Sequence, residues 1–282
     1  MLQHIGVLYH PKRADALDVA RKAAASLRAA GVETTLLPAW DEDAILKALP
    51  SWQIVVTCGG DGTILRSTRL AAPLGVPQLG INLGRLGFLA ELKPEEVADR
   101  LPSVANGEYW IEERAMLRAT ILSPSTGGGT PRAANERQFD ALNEVLMARG
   151  PLPRVIRFKV AIDGIGYKEY SADGVVVATA TGSTAYSLSA GGPVLSPESK
   201  NLVFTPICPH VLGARSLVLR QKSVVTLEMV AGFPGILSVD GQIDVELTDG
   251  EVVQVTASPY TARFVRTRSP GYFYELIGRV LP

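Results

Sequence analysis

Apolar residues follow two rhythms along this chain. In the first stretch, short apolar runs alternate with segments of helical period. Residues 5–9 form a short apolar strand, and residues 12–30 follow with Ala16, Leu17, Ala20, Ala23, Ala24 and Leu27 at helical spacing, closed by Gly31. Residues 32–37 give a second strand, and Asp41 caps a short helix through Ala44, Ile45, Ala48 and Leu49. Residues 53–58 give a third strand, followed by glycines and a helix over about 64–72, and residues 77–82 give a fourth. Repeated β-α-β predicts a doubly wound parallel sheet with helices on both faces, in which ligands collect at the carboxyl ends of the strands.

From about Trp110 the period changes to that of strands. Residues 116–122, 141–148, 155–163, 174–179, 216–219, 224–230 and 252–257 all read as strands. Asp163-Gly164, Asp240-Gly241 and Asp249-Gly250 supply turns between several of them, and little beyond residues 184–190 looks helical. The expectation is α/β plus all-β: an α/β domain over 1–108, an antiparallel β-sandwich-like domain over 109–266, and a tail over 267–282 that packs back on the first domain as a short helix. Residues 123–135, with three consecutive glycines, read as a flexible hairpin loop.

Composition narrows the class without choosing a function. A chain of 282 residues, 46% hydrophobic and 20% charged, is globular and long enough for two cores. Lysine plus arginine equals aspartate plus glutamate at 28 each, which gives no support to a nucleic-acid or membrane-surface partner. Cys58 and Cys208 are far apart and fit neither a disulfide framework nor a zinc site. The start lacks a signal-peptide pattern and no apolar run reaches the roughly 18 residues of a membrane span, so a soluble cytoplasmic protein is expected.

Candidate chemistry begins at Gly59-Gly60-Asp61-Gly62-Thr63, directly after the apolar run Ile54-Val55-Val56. Glycines let backbone N–H groups approach phosphate oxygens, and Asp61 places a proton acceptor or metal ligand beside them. The same residues suit a strand-to-helix turn capped by Asp61, and the loop alone does not choose. A second glycine cluster, residues 80–89, closes the fourth strand and also reads as a turn with Phe88 packing inward. The densest cluster, residues 172–193, is a strand ending in small hydroxyl and glycine residues. A helix starting at Ser183 or Thr184 would present N–H groups and hydroxyls to an anion or a ribose. Asn143 and Glu144 sit in an otherwise apolar strand, so one of them points inward and needs a partner. His210 reads as a packed loop histidine. No lysine follows a glycine, so there is no Walker A loop, and the first strand runs into His10-Pro11-Lys12 rather than a dinucleotide fingerprint.

Taken together these residues resemble the NAD kinase family. The resemblance rests on Gly59 to Thr63, Asn82-Leu83-Gly84-Arg85-Leu86-Gly87-Phe88-Leu89, Asn143-Glu144, the 173–193 block and Thr205-Pro206-Ile207-Cys208-Pro209-His210, in the family's order. The five-residue glycine motif is shared with lipid kinases. The Thr181-Gly182-Ser183-Thr184-Ala185-Tyr186-Ser187 block and the 82–88 segment are far more specific. The resemblance implies Mg²⁺-dependent transfer of the ATP γ-phosphoryl group to the 2′-hydroxyl of the adenosine ribose of NAD, with polyphosphate as a further donor in some relatives. It implies Asp61 as proton acceptor and Gly59, Gly60 and Thr63 at the triphosphate, with the metal delivered by ATP. Gly62, Arg66, Phe88, Asn143, Glu144, Arg154, Asp173, Thr184, Ala185, Tyr186, Ser187, Leu188, Ser189 and Gln242 would bind NAD. It further implies a homodimer or homotetramer.

Two positions depart from the family pattern: Ala180 stands where proline is common, and Ser171 where some members have arginine. Two other readings compete. A lipid kinase would lack the 82–88 segment and carry membrane-facing basic or apolar features. A non-catalytic nucleotide sensor would have no need for the Asp61 carboxylate.

Overall fold

The computed structural model describes all residues except 1, 85–86, 123–135, 152–153, 212, 231–233 and 281–282. The glycine-rich segment expected as a hairpin loop therefore lies outside the described residues. In chain order the strands and α-helices are β1 (His4–Tyr9), α1 (Ala14–Ala29), β2 (Glu33–Pro38), α2 (Glu42–Ala48), β3 (Ile54–Gly59), α3 (Asp61–Ala71), β4 (Gln78–Asn82), α4 (Val97–Ala105), β5 (Trp110–Leu122), β6 (Arg137–Ala141), β7 (Glu144–Arg149), β8 (Ile156–Ile162), β9 (Ile165–Ala172), β10 (Gly174–Ala178), α5 (Tyr186–Ser189), β11 (Leu202–Ile207), β12 (Leu217–Leu219), β13 (Val225–Met229), β14 (Gly235–Val239), β15 (Ile243–Leu247), β16 (Val252–Arg266) and α6 (Tyr272–Val280). The chain divides into two compact units, Met1–Arg114 with Tyr260–Pro282, and Ala115–Pro259.

The first unit is doubly wound. Its sheet runs β2-β1-β3-β4, all parallel, and the end of β16 joins β4 in parallel at Phe264 and Gln78. Both faces are covered, which is why β3 and β4 are buried at every position rather than alternating. On one face Ile5, Val7, Ile54, Val56 and Leu79 meet the apolar stripes of α1 and α4. On the other, Leu8 and Val55 pack with Ile45 and Leu70 from α2 and α3. The pattern of apolar positions did not predict α4, whose stripe of Val97, Leu101, Val104 and Ala105 is interrupted by Pro102. Its entry does carry a start signal, because the Glu96 side chain returns to accept from the Lys93 amide at 2.8 Å. The strand order reverses between β1 and β3, so the crevice of this sheet opens where His10 and Gly60 leave the two strands.

The second unit is a two-sheet sandwich. One sheet has the order β12-β11-β10-β7-β14-β15 with every neighbour antiparallel. The other contains β13-β8-β9, with β16 beside β13 and β6 beside β5. Val145, Met147, Val175, Phe204 and Leu237 from the first sheet share one core with Leu117, Phe158, Tyr170, Val225 and Val253 from the second. Asp163 (φ 53°) and Gly164 (φ 78°) close the β8–β9 hairpin, and Asp240 (φ 53°) and Gly241 (φ 62°) turn β14 into β15. Asp249-Gly250 does not close a hairpin and instead links β15 to β16, which belong to different sheets. The strand expected over 141–148 is two strands, because the chain turns at Leu142 and Asn143 between β6 and β7.

Candidate active site

In the first unit, β3 delivers Gly59 to the carboxyl edge of the sheet, and Gly60, extended at φ −89° and ψ −179°, stands at the cap position of α3. Asp61 is thus the first residue of the helix and not its cap, which corrects the turn-cap alternative. Its carboxylate leaves the helix for the loop after β4, where Oδ2 accepts the Phe88 amide at 3.1 Å. Gly87 makes that approach possible, since a Cβ there would overlap the carboxylate. Oδ1 is buried without a hydrogen-bond partner among the described residues. Burial raises the proton affinity of Asp61, opposed by the Phe88 and Leu89 amides and by the charges of Arg114 and Arg266. A carboxylate with raised proton affinity and an unused lone-pair face is equipped to take a proton from a hydroxyl brought against it.

The remaining first-unit positions sit around this helix start. Thr63 is buried and its amide returns to Gly60 O at 2.9 Å, while Gly62 is exposed. Arg66, further along α3, pairs with Glu42 at 2.5 Å and lies 4.9 Å from the centre of the Trp40 ring, which itself packs on His10. Phe88 touches Asp61 through its backbone, and its ring centre lies 6.3 Å from that of Phe273 in α6.

In the second unit the turn at Leu142 and Asn143 is built by a residue that the sequence showed only as a turn former. The Asp240 carboxylate accepts three consecutive amides, from Leu142 at 2.8 Å, Asn143 at 2.8 Å and Glu144 at 3.0 Å. Thr179 closes the other side, its hydroxyl donating to Leu142 O at 2.6 Å and its amide to Asn143 O at 2.9 Å. Gly182 packs so closely on the Asn143 backbone that a Cβ would overlap the carbonyl. Glu144 is 9% exposed, and its carboxyl is pushed up to about 8 by burial and by the neighbouring Asp240 charge, against the Tyr186 amide. Its Oε2, like Oδ1 of Asp61, is buried without a hydrogen-bond partner among the described residues.

The hydroxyl-rich run is used differently from the expectation. Residues 182–184 form a 3-10 turn and α5 is a single turn, so no extended helix starts here. The Ser183 hydroxyl donates to Ala180 O at 2.6 Å and accepts from Leu195 N, and that of Thr184 donates to Thr181 O at 3.0 Å. Ser187 is fully buried with its hydroxyl 3.3 Å from that of Thr205. Much of the run therefore satisfies its own backbone. Thr184, Ala185 and Leu188 are half-buried, and Tyr186 and Ser189 are exposed.

The structure brings Asn143, Glu144 and Tyr186 together, and Gln242 follows in the turn of Asp240, whose amide donates to Glu144 O at 3.0 Å. Asp173 stands apart. Glu144 pairs with Ala178 and Ala148 with Gly174, so Asp173, one residue further on, lies beyond the other end of the β7–β10 ladder, roughly 17 Å away at about 3.3 Å per residue. There it accepts the Arg149 guanidinium at 3.0 Å. Arg154 lines a cavity of about 390 Å³ with Gly150, Pro151, Pro234, Asp244 and Glu246.

A doubly wound unit with a glycine loop and a buried carboxylate at a helix start can seat phosphates beside a proton acceptor, the parts that a phosphotransferase uses. Comparison with known proteins makes the class specific. Residues 13–109 match the ATP-NAD kinase N-terminal domain and residues 142–267 the ATP-NAD kinase C-terminal domain. The NAD kinase of Dehalococcoides mccartyi strain BAV1 is 40% identical over 98% of this chain and 94% of its own length. That of Chloroflexus aurantiacus strain J-10-fl is 38% identical over 99% of each chain. Among solved structures, an NAD kinase from Archaeoglobus fulgidus in complex with ATP is similar with a TM-score of 0.78 and 26% identity, over 99% of this chain and 98% of the other. A yeast NADH kinase complexed with NADH shares the fold, with a TM-score of 0.82 at 24% identity over 99% of this chain and 87% of the other. The chain belongs to the NAD kinase family and is a kinase.

Proposed function

We propose that this kinase transfers the γ-phosphoryl group of ATP to the 2′-hydroxyl of the adenosine ribose of NAD, giving NADP and ADP. The observation that carries the reading is the Asp61 carboxylate: one oxygen is fixed by the Phe88 amide and the other is buried and unpartnered, with raised proton affinity. As the ribose oxygen bonds to phosphorus and the bond to the β-phosphate oxygen breaks, Asp61 takes the hydroxyl proton. That role is worth about 10²–10⁴-fold in rate. Gly59, Gly60 and Thr63 are assigned to the triphosphate at the positive end of α3.

Magnesium fits this chain as an ion carried by the nucleotide. No group of three or more His, Cys, Asp or Glu side chains among the described residues is arranged to hold a metal. Mg²⁺ needs no such cage when phosphates and water fill most of its shell. The 59–63 loop would hold the loaded triphosphate, and the ion would supply charge neutralisation that a P-loop lysine gives elsewhere.

For NAD we assign Gly62, Arg66 and Phe88 in the first unit, and Asn143, Glu144, Arg154, Asp173, Gln242 and the 184–189 run in the second. Glu144, protonated at neutral pH, would donate a hydrogen bond to an adenine or ribose acceptor. A homodimer or homotetramer in the cytoplasm completes the proposal. No helix among the described residues is long and apolar enough to cross a membrane. Purified protein given NAD, Mg²⁺ and either ATP or polyphosphate should form NADP with at least one donor. Absence of product from both would refute the reading.

A further inference from the structure

Behind the glycine loop, within the first unit, lies a dense set of buried charges that the proposed chemistry does not use. Arg266, the last residue of β16, is 7% exposed. Its Nε donates to Glu112 at 2.6 Å, and its Nη1 to Leu89 O at 3.0 Å and Glu91 at 3.3 Å. Glu112 also accepts Arg114, at 3.1 and 3.3 Å, and both guanidinium groups sit 5.1 Å from the centre of the Phe264 ring. Glu91 takes the Thr267 amide and hydroxyl at 2.8 Å each and the Arg268 amide at 2.9 Å. Arg268 returns a bond to Glu91 O at 3.0 Å.

Buried ions persist only when fully paired, and breaking one pair is costly, so this cluster defines one arrangement sharply. What it fixes is residues 89–91, fastened by the chain leaving β16. The preceding amide, that of Phe88, donates to Asp61 at 3.1 Å. A shift of the carbonyl of Leu89 or the backbone of Glu91 therefore moves the Phe88 amide, and Asp61 with it.

We propose that Arg266 is a positioning residue for Asp61, setting the place of the carboxylate through Leu89, Glu91 and the Phe88 amide. The inference rests on reading Asp61 as the proton acceptor. The ordinary alternative is that Arg266 only staples the C-terminal segment to the unit. The two differ in kinetics: a staple affects melting, whereas a positioning residue affects kcat in a way that depends on Asp61. The same guanidinium also opposes the burial that raises the proton affinity of Asp61, alongside Arg114.

The test uses the full chain with Arg266→Met, Arg266→Lys, Asp61→Asn and the Arg266→Met/Asp61→Asn pair. Each is assayed for kcat and for KM of NAD and ATP at temperatures where circular dichroism shows it folded. Arg266→Met should lower kcat on the order of 10²-fold with both KM values little changed, the loss expected of a displacement near 1 Å. In the Asp61→Asn background the same change should cost almost nothing more. Wild-type kcat in folded Arg266→Met, or an equal loss with and without Asp61, would overturn the proposal. If Arg266→Met does not fold, Arg266→Lys decides. A lysine offers one compact ammonium in place of the planar guanidinium fork whose separate Nε and Nη1 reach Glu112 and Leu89 O, so kcat should fall with KM held, and full kcat overturns the proposal. Full activity in Asp61→Asn would remove the base assignment itself. An impaired Asp61→Asn beside fully active Arg266 variants would remove only the positioning role.

Discussion

Asp61 in the first unit and Glu144 in the second are alike in kind and opposed in setting. Both are carboxylates with a buried oxygen that finds no hydrogen-bond partner among the described residues, and burial raises the proton affinity of both. Around Asp61 the countervailing influences are two amides and two buried arginines. Around Glu144 the nearest charge is another carboxylate, Asp240, so its carboxyl climbs to about 8. At neutral pH the first group is suited to accept a proton and the second to donate a hydrogen bond. Under the proposed function the same residue class would take two jobs, set by burial first and by the sign of the neighbouring charges second.

The strongest way to break this comparison is Asp61→Asn, which should lower turnover by about 10²–10⁴-fold while NAD still binds, as calorimetry would show, because an amide cannot take the proton. Next comes Gly87→Ala. A Cβ there pushes on the carboxylate, and a kcat loss on the order of 10²-fold is expected with NAD affinity kept. Tyr186→Ala, on the exposed turn beside Glu144, should weaken NAD binding more than ATP binding; equal losses would place the side chain elsewhere. The mildest change is Glu144→Gln, because a neutral acid and an amide both donate. NAD affinity near pH 7 should hardly change, whereas the wild type alone should lose affinity as pH rises through about 8.

Stability gives the same comparison a second readout. A carboxyl whose folded-state pKa is raised contributes stability that is present below its unfolded value and is lost as pH rises through the folded value. Glu144→Gln should therefore gain thermal stability relative to wild type between about pH 4.5 and 8, and no gain below that window.

Much of the first unit was legible because its strands are short, mostly carry apolar runs and are mainly separated by helices of clear period. That α4 was missed has a plain cause: Pro102 inside the segment reads as a helix breaker, although Val97, Leu101, Val104 and Ala105 keep helical spacing. In the second unit the turns at Asp163-Gly164 and Asp240-Gly241 were visible, although β14 and β15 on either side of the latter were not expected as strands. β9 was not, because it is exposed along most of its length and lacks an apolar run. The glycine loop and Asn143-Glu144 stood out as motifs, but the residues that hold them did not. Asp240 reads as a turn former until its carboxylate is seen gathering three amides. Arg266, Glu91 and Glu112 are spread over the chain, and only folding brings them together, so no local pattern could reveal them. The hydroxyl run 179–189 misled in the opposite direction, since much of its donor capacity is spent on its own backbone.

The central claim is that Asp61 takes the proton, and the pH dependence of kcat in wild type and Asp61→Asn tests it most directly. Wild-type turnover should fall as pH drops, along an acid limb set above the ordinary carboxylate value of 3.8. The residual rate of Asp61→Asn should lack that limb. An identical acid limb in both proteins would contradict the assignment.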